Sequence, residues 1–246
     1  MSTTGRVLTK TDIYQLLQEV GTELAAQNKH VSIYLVGGAA IALTLNDTRT
    51  TTDLDAMVIN NDAAFREAVK KVTEKHGLEN TWISDDITDF LSRDPIGQEP
   101  ILQFPGLLVT IGSPEHLLAM KLRASIGRSE RDRSDVLFLS AHLGLTTAKE
   151  IADLTERQFQ GFYADRYGYD EYLDTAEFIL LEDQLLRQQQ QQTAQLEKPQ
   201  PNIPTTQQSL PATSPETSPI TKNIPQYTEP HIWSDEPSDD DQFGPW

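Results

Sequence analysis

Ten of the chain's 14 prolines lie beyond Leu196, at Pro199, Pro201, Pro204, Pro211, Pro215, Pro219, Pro225, Pro230, Pro237 and Pro245. Proline fixes φ and removes a backbone donor, so a segment punctuated this often sustains neither a helix nor a central strand. Few large aliphatic residues accompany these prolines, and too little apolar surface is left to offset the entropy of ordering the segment. The fold is therefore expected within residues 1–190, about the size of one domain. Residues 191–246 are expected to form a disordered, proline-rich acidic tail.

The chain has no cysteine, which excludes disulfides, thiolate zinc sites and cysteine nucleophiles together. The opening stretch, Met1 to Asp12, lacks the apolar run of a signal peptide, and no window reaches the roughly 20 apolar residues of a membrane span. The expectation is a cytoplasmic protein with no membrane partner. A formal net charge of −17 argues against unaided, tight binding to a nucleic-acid backbone, which requires lysine and arginine opposite phosphate. Between Lys121 and Arg133, however, Lys121, Arg123, Arg128, Arg131 and Arg133 stand against only Glu130 and Asp132. That local surplus is the reason to consider RNA as a partner.

Hydrophobic spacing from Thr11 to Gln27 predicts an amphipathic helix, and Val31 to Val36 reads as a buried strand entering a Gly37-Gly38 turn. Ala39 to Leu45 reads as a helix and Asp53 to Ile59 as a strand, with Leu54 and Ala56 on one face and Asp53 and Asp55 on the other. A second amphipathic helix is expected from Asp62 to Lys75 and a short one from Ser84 to Leu91. Loop follows from Arg93 to Pro105, apart from a brief strand near Leu102, and then a strand from Leu107 to Ile111. Ser113-Pro114 opens a helix running to about Ser125, and another spans Arg131 to Leu143, stopped by Gly144. Thr147 and Glu150 form a capping box for the next, and the last runs from Glu171 to about Gln190. Strands interleaved with helices, then helices alone, predict an α/β domain with a mixed sheet and a helical C-terminal half.

The chemistry concentrates between Tyr34 and Asp55. A strand, a Gly37-Gly38 turn and a helix bring backbone N–H groups close to whatever lies above the turn, an arrangement suited to phosphate. Asp53 and Asp55, two apart on the next strand, share a face and can hold one divalent ion. The five histidines are scattered without metal-ligand spacing and read as structural, and Gly112-Ser113-Pro114 lacks the context of a serine hydrolase elbow.

In this order of motifs the sequence resembles the nucleotidyltransferase superfamily, and more closely the bacterial minimal nucleotidyltransferases related to abortive-infection and toxin–antitoxin proteins. The second matching stretch runs from Val109 through Gly112-Ser113-Pro114-Glu115 and Lys121 to Arg131-Asp132-x-x-Asp135 and Leu139. The resemblance implies a nucleotidyltransferase-like fold and a metal-dependent transfer of a nucleoside monophosphate from an NTP to a hydroxyl of RNA, a protein or a small molecule. It implies that Gly37 and Gly38 contact the triphosphate, that Asp53 and Asp55 bind Mg2+, and that Arg49 and Thr51 form a lead-in beside them. Lys121 is expected to reach the phosphates, and Asp132 to join Asp53 and Asp55 as a catalytic residue. An antitoxin-like protein partner is implied by the same analogy. One departure from the family pattern is that Leu107 to Ile111 carries no third carboxylate, for which Glu115 or Asp132 is the candidate substitute. The alternative expectation is a degenerate scaffold that binds a nucleotide or a protein without transferring.

Overall fold

The computed structural model describes residues 6–84, 101–126, 130–160 and 167–196. The chain divides into two units, Met1–Lys198 and Pro199–Trp246, and every described residue belongs to the first. Among the described residues are seven helices and five strands, an α/β arrangement with only helices after the last strand.

Helix α1 (Lys10–Ala26) starts one residue earlier than its hydrophobic spacing suggests. Thr9 is the N-cap, its side chain accepting from the Asp12 backbone N–H while the Asp12 carboxylate accepts from the Thr9 N–H. This reciprocal box satisfies two of the amide donors that a helix start leaves open. Strand β1 (Val31–Val36) leads directly into α2 (Gly37–Thr44), then come β2 (Leu54–Val58) and α3 (Asp62–His76). The helix after β1 begins at the glycines themselves, not at Ala39: Gly37 takes φ +67° as its first residue. Strands β3 (Ile83–Ser84), β4 (Leu102–Phe104) and β5 (Leu107–Ile111) complete the sheet.

The sheet order is β3-β2-β1-β5-β4, with β1–β5 and β2–β3 parallel and β1–β2 and β4–β5 antiparallel. As the middle strand, β1 is covered on both faces, which explains its nearly unbroken apolar sequence. Ile33 at its centre is fully buried, and its truncation to alanine is worth about 2–5 kcal/mol. On one face α1 lies close against the β4–β5 hairpin at Gly21, where a Cβ would stand 2.8 Å from both the Phe104 Cβ and the Pro105 carbonyl oxygen. No residue with a side chain permits that approach.

The helical half comprises α4 (Pro114–Ser125), α5 (Glu130–His142), α6 (Ala148–Phe159) and α7 (Tyr169–Leu196). Ser113 caps α4 by accepting from the His116 N–H, with Pro114 in the first turn, and Thr147 with Glu150 forms the expected capping box of α6. Phe159 of α6 stacks on Tyr172 of α7, both buried. The last helix is longer than expected. It does not dissolve near Gln190 but continues through the glutamine run to Leu196, because glutamine is a good helix former and no proline intervenes before Pro199. The domain boundary expected after residue 190 accordingly cuts a helix, and the first unit extends to Lys198. Of the short helix expected from Ser84, only Ser84 is described, and it lies in β3. The rest of that helix, and the tail beyond Leu196, lie outside the described residues. None of the described helices is long and apolar enough to cross a membrane.

Candidate functional site

Register places the two acids. Asp55 pairs with Val36 across the antiparallel β1–β2 ladder, so its side chain shares a face with Val36 and, two residues back, Tyr34. Leu54 and Ala56 turn to the opposite face and are fully buried. The alternation expected for this strand is what the structure has, with Asp53 immediately before its first residue.

Helix α4 crosses the face that carries Asp55. Its His116 reaches the Tyr34 hydroxyl at 2.6 Å through Nδ1, and the two rings stack. One helical turn and a half further on, Lys121 stands beside the acids, close enough that its positive charge acts on Asp55. Burial raises the Asp55 carboxyl above its ordinary value, the negative charge of Asp53 raises it further, and Asp132 adds to this, with only Lys121 opposing. Excess negative charge in a largely desolvated place is a position that a cation stabilises.

The turn at Gly37-Gly38 lies directly against these residues. A Cβ on Gly37 would collide with the Asp55 carboxylate, and one on Gly38 would stand 2.9 Å from Thr51 Oγ1 and 3.8 Å from Arg49 Nη2. Thr51, itself buried, donates its hydroxyl to Asp53, within 3.0 Å of both the backbone carbonyl oxygen and Oδ1. A β-bridge between Thr51 and Leu8 holds this stretch to the start of the chain.

Arg49 and Lys121 meet on helix α5. The Arg49 guanidinium grips Asp135 with two parallel bonds, Nε to Oδ1 at 2.9 Å and Nη2 to Oδ2 at 2.8 Å, while Nη1 donates to the Thr50 carbonyl oxygen at 2.9 Å. Lys121 Nζ lies 2.9 Å from Asp132 Oδ1 and 3.1 Å from Asp135 Oδ2. Burial alone would pull the Lys121 amine down, but the charges and hydrogen bonds of Asp135 and Asp132 outweigh it and hold the amine above its ordinary value. It is therefore a cation at neutral pH.

All eight residues expected from the sequence, Gly37, Gly38, Arg49, Thr51, Asp53, Asp55, Lys121 and Asp132, thus fall in one neighbourhood drawn from α2, the segment leading into β2, β2 itself, α4 and α5. Asp135, the last acid of the Arg131-Asp132-x-x-Asp135 stretch, belongs with them. Its spacing from Asp132 is the available signal, since residues three apart share a helix face. Its partner Arg49, 86 residues away, is not foreshadowed. Asp132, not Glu115, is the further carboxylate whose charge acts on Asp55.

The basic face expected from Lys121 to Arg133 takes a different form. Lys121 is engaged by two carboxylates, Arg123 is buried with its guanidinium 4.9 Å from the Phe159 ring centre, and Arg133 pairs with Glu182 at 3.0 Å and covers the Phe178 ring. Arg128 and the side chain of Arg131 lie outside the described residues.

Mg2+ fits this donor set. The described residues contain no group of three acids or histidines arranged to hold a metal, but magnesium is commonly bound by one or two carboxylates together with substrate phosphates and water. Asp53 and Asp55 would supply the two carboxylates, and the lack of a Cβ at Gly37 is what admits the Asp55 carboxylate to its place against the turn. Comparison with protein-family models, with curated proteins and with solved structures returns no match.

Proposed function

We propose that this protein is a metal-dependent nucleotidyltransferase that moves a nucleoside monophosphate from an NTP to a hydroxyl acceptor. The observation that carries the reading is the apposition of the Gly37-Gly38 turn to Asp55, with a cationic Lys121 acting on the same carboxylate. Backbone amides at the start of α2 and the two cations, Arg49 and Lys121, suit the phosphates, and Asp53 and Asp55 suit the ion that accompanies them. A nucleotidyltransferase-like fold is part of the same proposal, supported by the order strand, Gly-Gly, helix, then an acid-bearing antiparallel strand.

Magnesium, when bound by Asp53 and Asp55, would neutralise charge on the triphosphate and on the oxygens of the displacement. The chain's own groups hold the remainder. Thr51 fixes Asp53 through its hydroxyl, and Arg49 and Lys121 stabilise negative charge as it moves toward the leaving group. In the transfer the acceptor oxygen bonds to the α-phosphorus, the bond between that phosphorus and the α–β bridging oxygen breaks, and pyrophosphate leaves. The hydroxyl proton passes to a carboxylate of the site. The acceptor is a hydroxyl of RNA, a protein or a small molecule, and the engagement of Arg123 and Arg133 by protein groups removes those two cations from the case for RNA.

The test is transfer of label from each α-32P NTP into a cell extract with Mg2+, beside the same NTP labelled at the γ position. The expected result is α-label, not γ-label, on an acceptor, absent with Asp53→Ala. Incorporation equal in the variant would refute it. A second reading, a scaffold that binds nucleotide without transferring it, is favoured by the absence of a carboxylate on β5. Magnesium-dependent nucleotide binding with no transfer and no pyrophosphate release is the outcome that selects it.

A further inference from the structure

We propose that Asp135 is a positioning residue that locks Arg49 and Lys121 into a single two-cation unit for the phosphates of the nucleotide. The inference rests on the nucleotide-binding reading above and extends it to a residue that contacts neither the metal acids nor the glycine turn.

The geometry is specific. Asp135 is 4% exposed, and both its carboxylate oxygens are occupied by cations. Oδ2 receives Arg49 Nη2 at 2.8 Å and Lys121 Nζ at 3.1 Å, so two positive groups from distant parts of the chain converge on one oxygen. Like charges brought this close repel, and in a partly buried place they separate unless a shared anion holds them. Asp135 is that anion. Asp132 binds Lys121 alone and cannot replace it for Arg49.

The lock also orients. Side-on contact through Nε and Nη2 fixes the plane of the Arg49 guanidinium, and Nη1 is tied to the Thr50 carbonyl oxygen. Arginine has five N–H bonds and lysine three. The contacts named leave two N–H bonds of Arg49 and one of Lys121 for a ligand, and Nη2 already lies 3.8 Å from the position a Cβ would take on Gly38. The cationic pair is thus held beside the first turn of α2, where the reading above puts the phosphates. A site without Asp135 keeps both charges but not their shared position.

The test uses the full chain and titration calorimetry with each Mg2+–NTP, in wild type, Asp135→Asn, Arg49→Lys and the double variant, with thermal midpoints recorded for each. Asp135→Asn keeps the shape and removes the anion. Arg49→Lys keeps the charge and removes the two-pronged grip. Each single variant is expected to weaken the nucleotide by roughly tenfold or more, the usual range for residues that orient a site's direct contacts. The double variant is expected to be no weaker than the worse single, because both changes break one lock. Wild-type affinity in a folded Asp135→Asn chain, or losses that multiply in the double variant, would overturn the proposal while leaving the nucleotide reading intact. A wild type that binds no NTP overturns both. Should Asp135→Asn fail to fold, Arg49→Lys decides alone, with unchanged affinity counting against the lock.

Discussion

Gly37 and Asp55 are packed so closely that a single methyl group on the glycine would occupy the place of the aspartate's carboxylate. Gly37 also holds φ +67° at the first position of α2, a backbone region that residues with a Cβ rarely adopt. The two constraints coincide because the antiparallel register sets Asp55 opposite Val36, the residue that precedes the turn.

Gly37→Ala is therefore expected to do more than strain the backbone. Gly77, the C-cap residue of α3, has φ +60° with nothing within 4 Å of an added Cβ, and so isolates the conformational cost. Gly77→Ala should lose about 1 kcal/mol by denaturant unfolding. Gly37→Ala should lose distinctly more and should also abolish Mg2+-dependent nucleotide binding. Equal destabilisation in the two variants would mean that the Asp55 contact yields without consequence.

Much of this arrangement is legible in the sequence because it is local. The run Val31 to Val36 is continuous because β1 is covered on both sides, Asp55 alternates with Leu54 and Ala56 because strand side chains alternate, and Thr147 with Glu150 announces α6 through its cap. What escapes is decided by partners far along the chain or by competing local signals. Arg49 finds Asp135 only once α5 packs beside α4, and no periodicity encodes that. Thr9, which lies before the apolar spacing begins, caps α1 because Asp12 stands three residues after it and completes the capping box. The glutamine run reads as low complexity, yet as helix-forming residues following an already nucleated helix it prolongs α7.

His116 gives a pH dependence whose sign follows from its surroundings. Burial pushes the imidazole down from 6.5 to about 4, Nδ1 is bonded to Tyr34, and Nε2 is buried without a hydrogen-bond partner among the described residues. The folded protein keeps this ring neutral, while the unfolded chain takes up a proton below about pH 6.5. Stability from this group is complete above pH 6.5 and is lost as pH falls to about 4, a loss of about 3 kcal/mol over the window. In His116→Gln that part of the decline should vanish, read as the difference between the two proteins' unfolding free energies at pH 7 and pH 4.5. Parallel curves would show that His116 is not held neutral.

Trp82 offers a check on the opposite side of the acid-bearing strand. It is buried, its backbone carbonyl oxygen accepts from the Leu54 N–H, and its indole Nε1 donates to Thr73 Oγ1 at 2.7 Å. Thr73→Val keeps the volume and leaves a buried N–H without its acceptor, which should destabilise by about 1–3 kcal/mol in urea titration. No change in the urea midpoint would show that the indole finds another partner.

Magnesium-dependent binding of an NTP, measured by titration calorimetry in wild type, Asp53→Asn and Asp55→Asn, tests the central claim most directly. Both substitutions remove charge from a cluster in which burial and the Asp53 charge already hold the Asp55 carboxyl high, so neither should lower the thermal midpoint of the free protein, and Asp55→Asn should raise it. The predicted result is a saturable heat for wild type with Mg2+, its loss on chelation, and its loss in both variants. Nucleotide binding that persists with chelator and in Asp55→Asn, or no binding by wild type under any metal, would contradict the account.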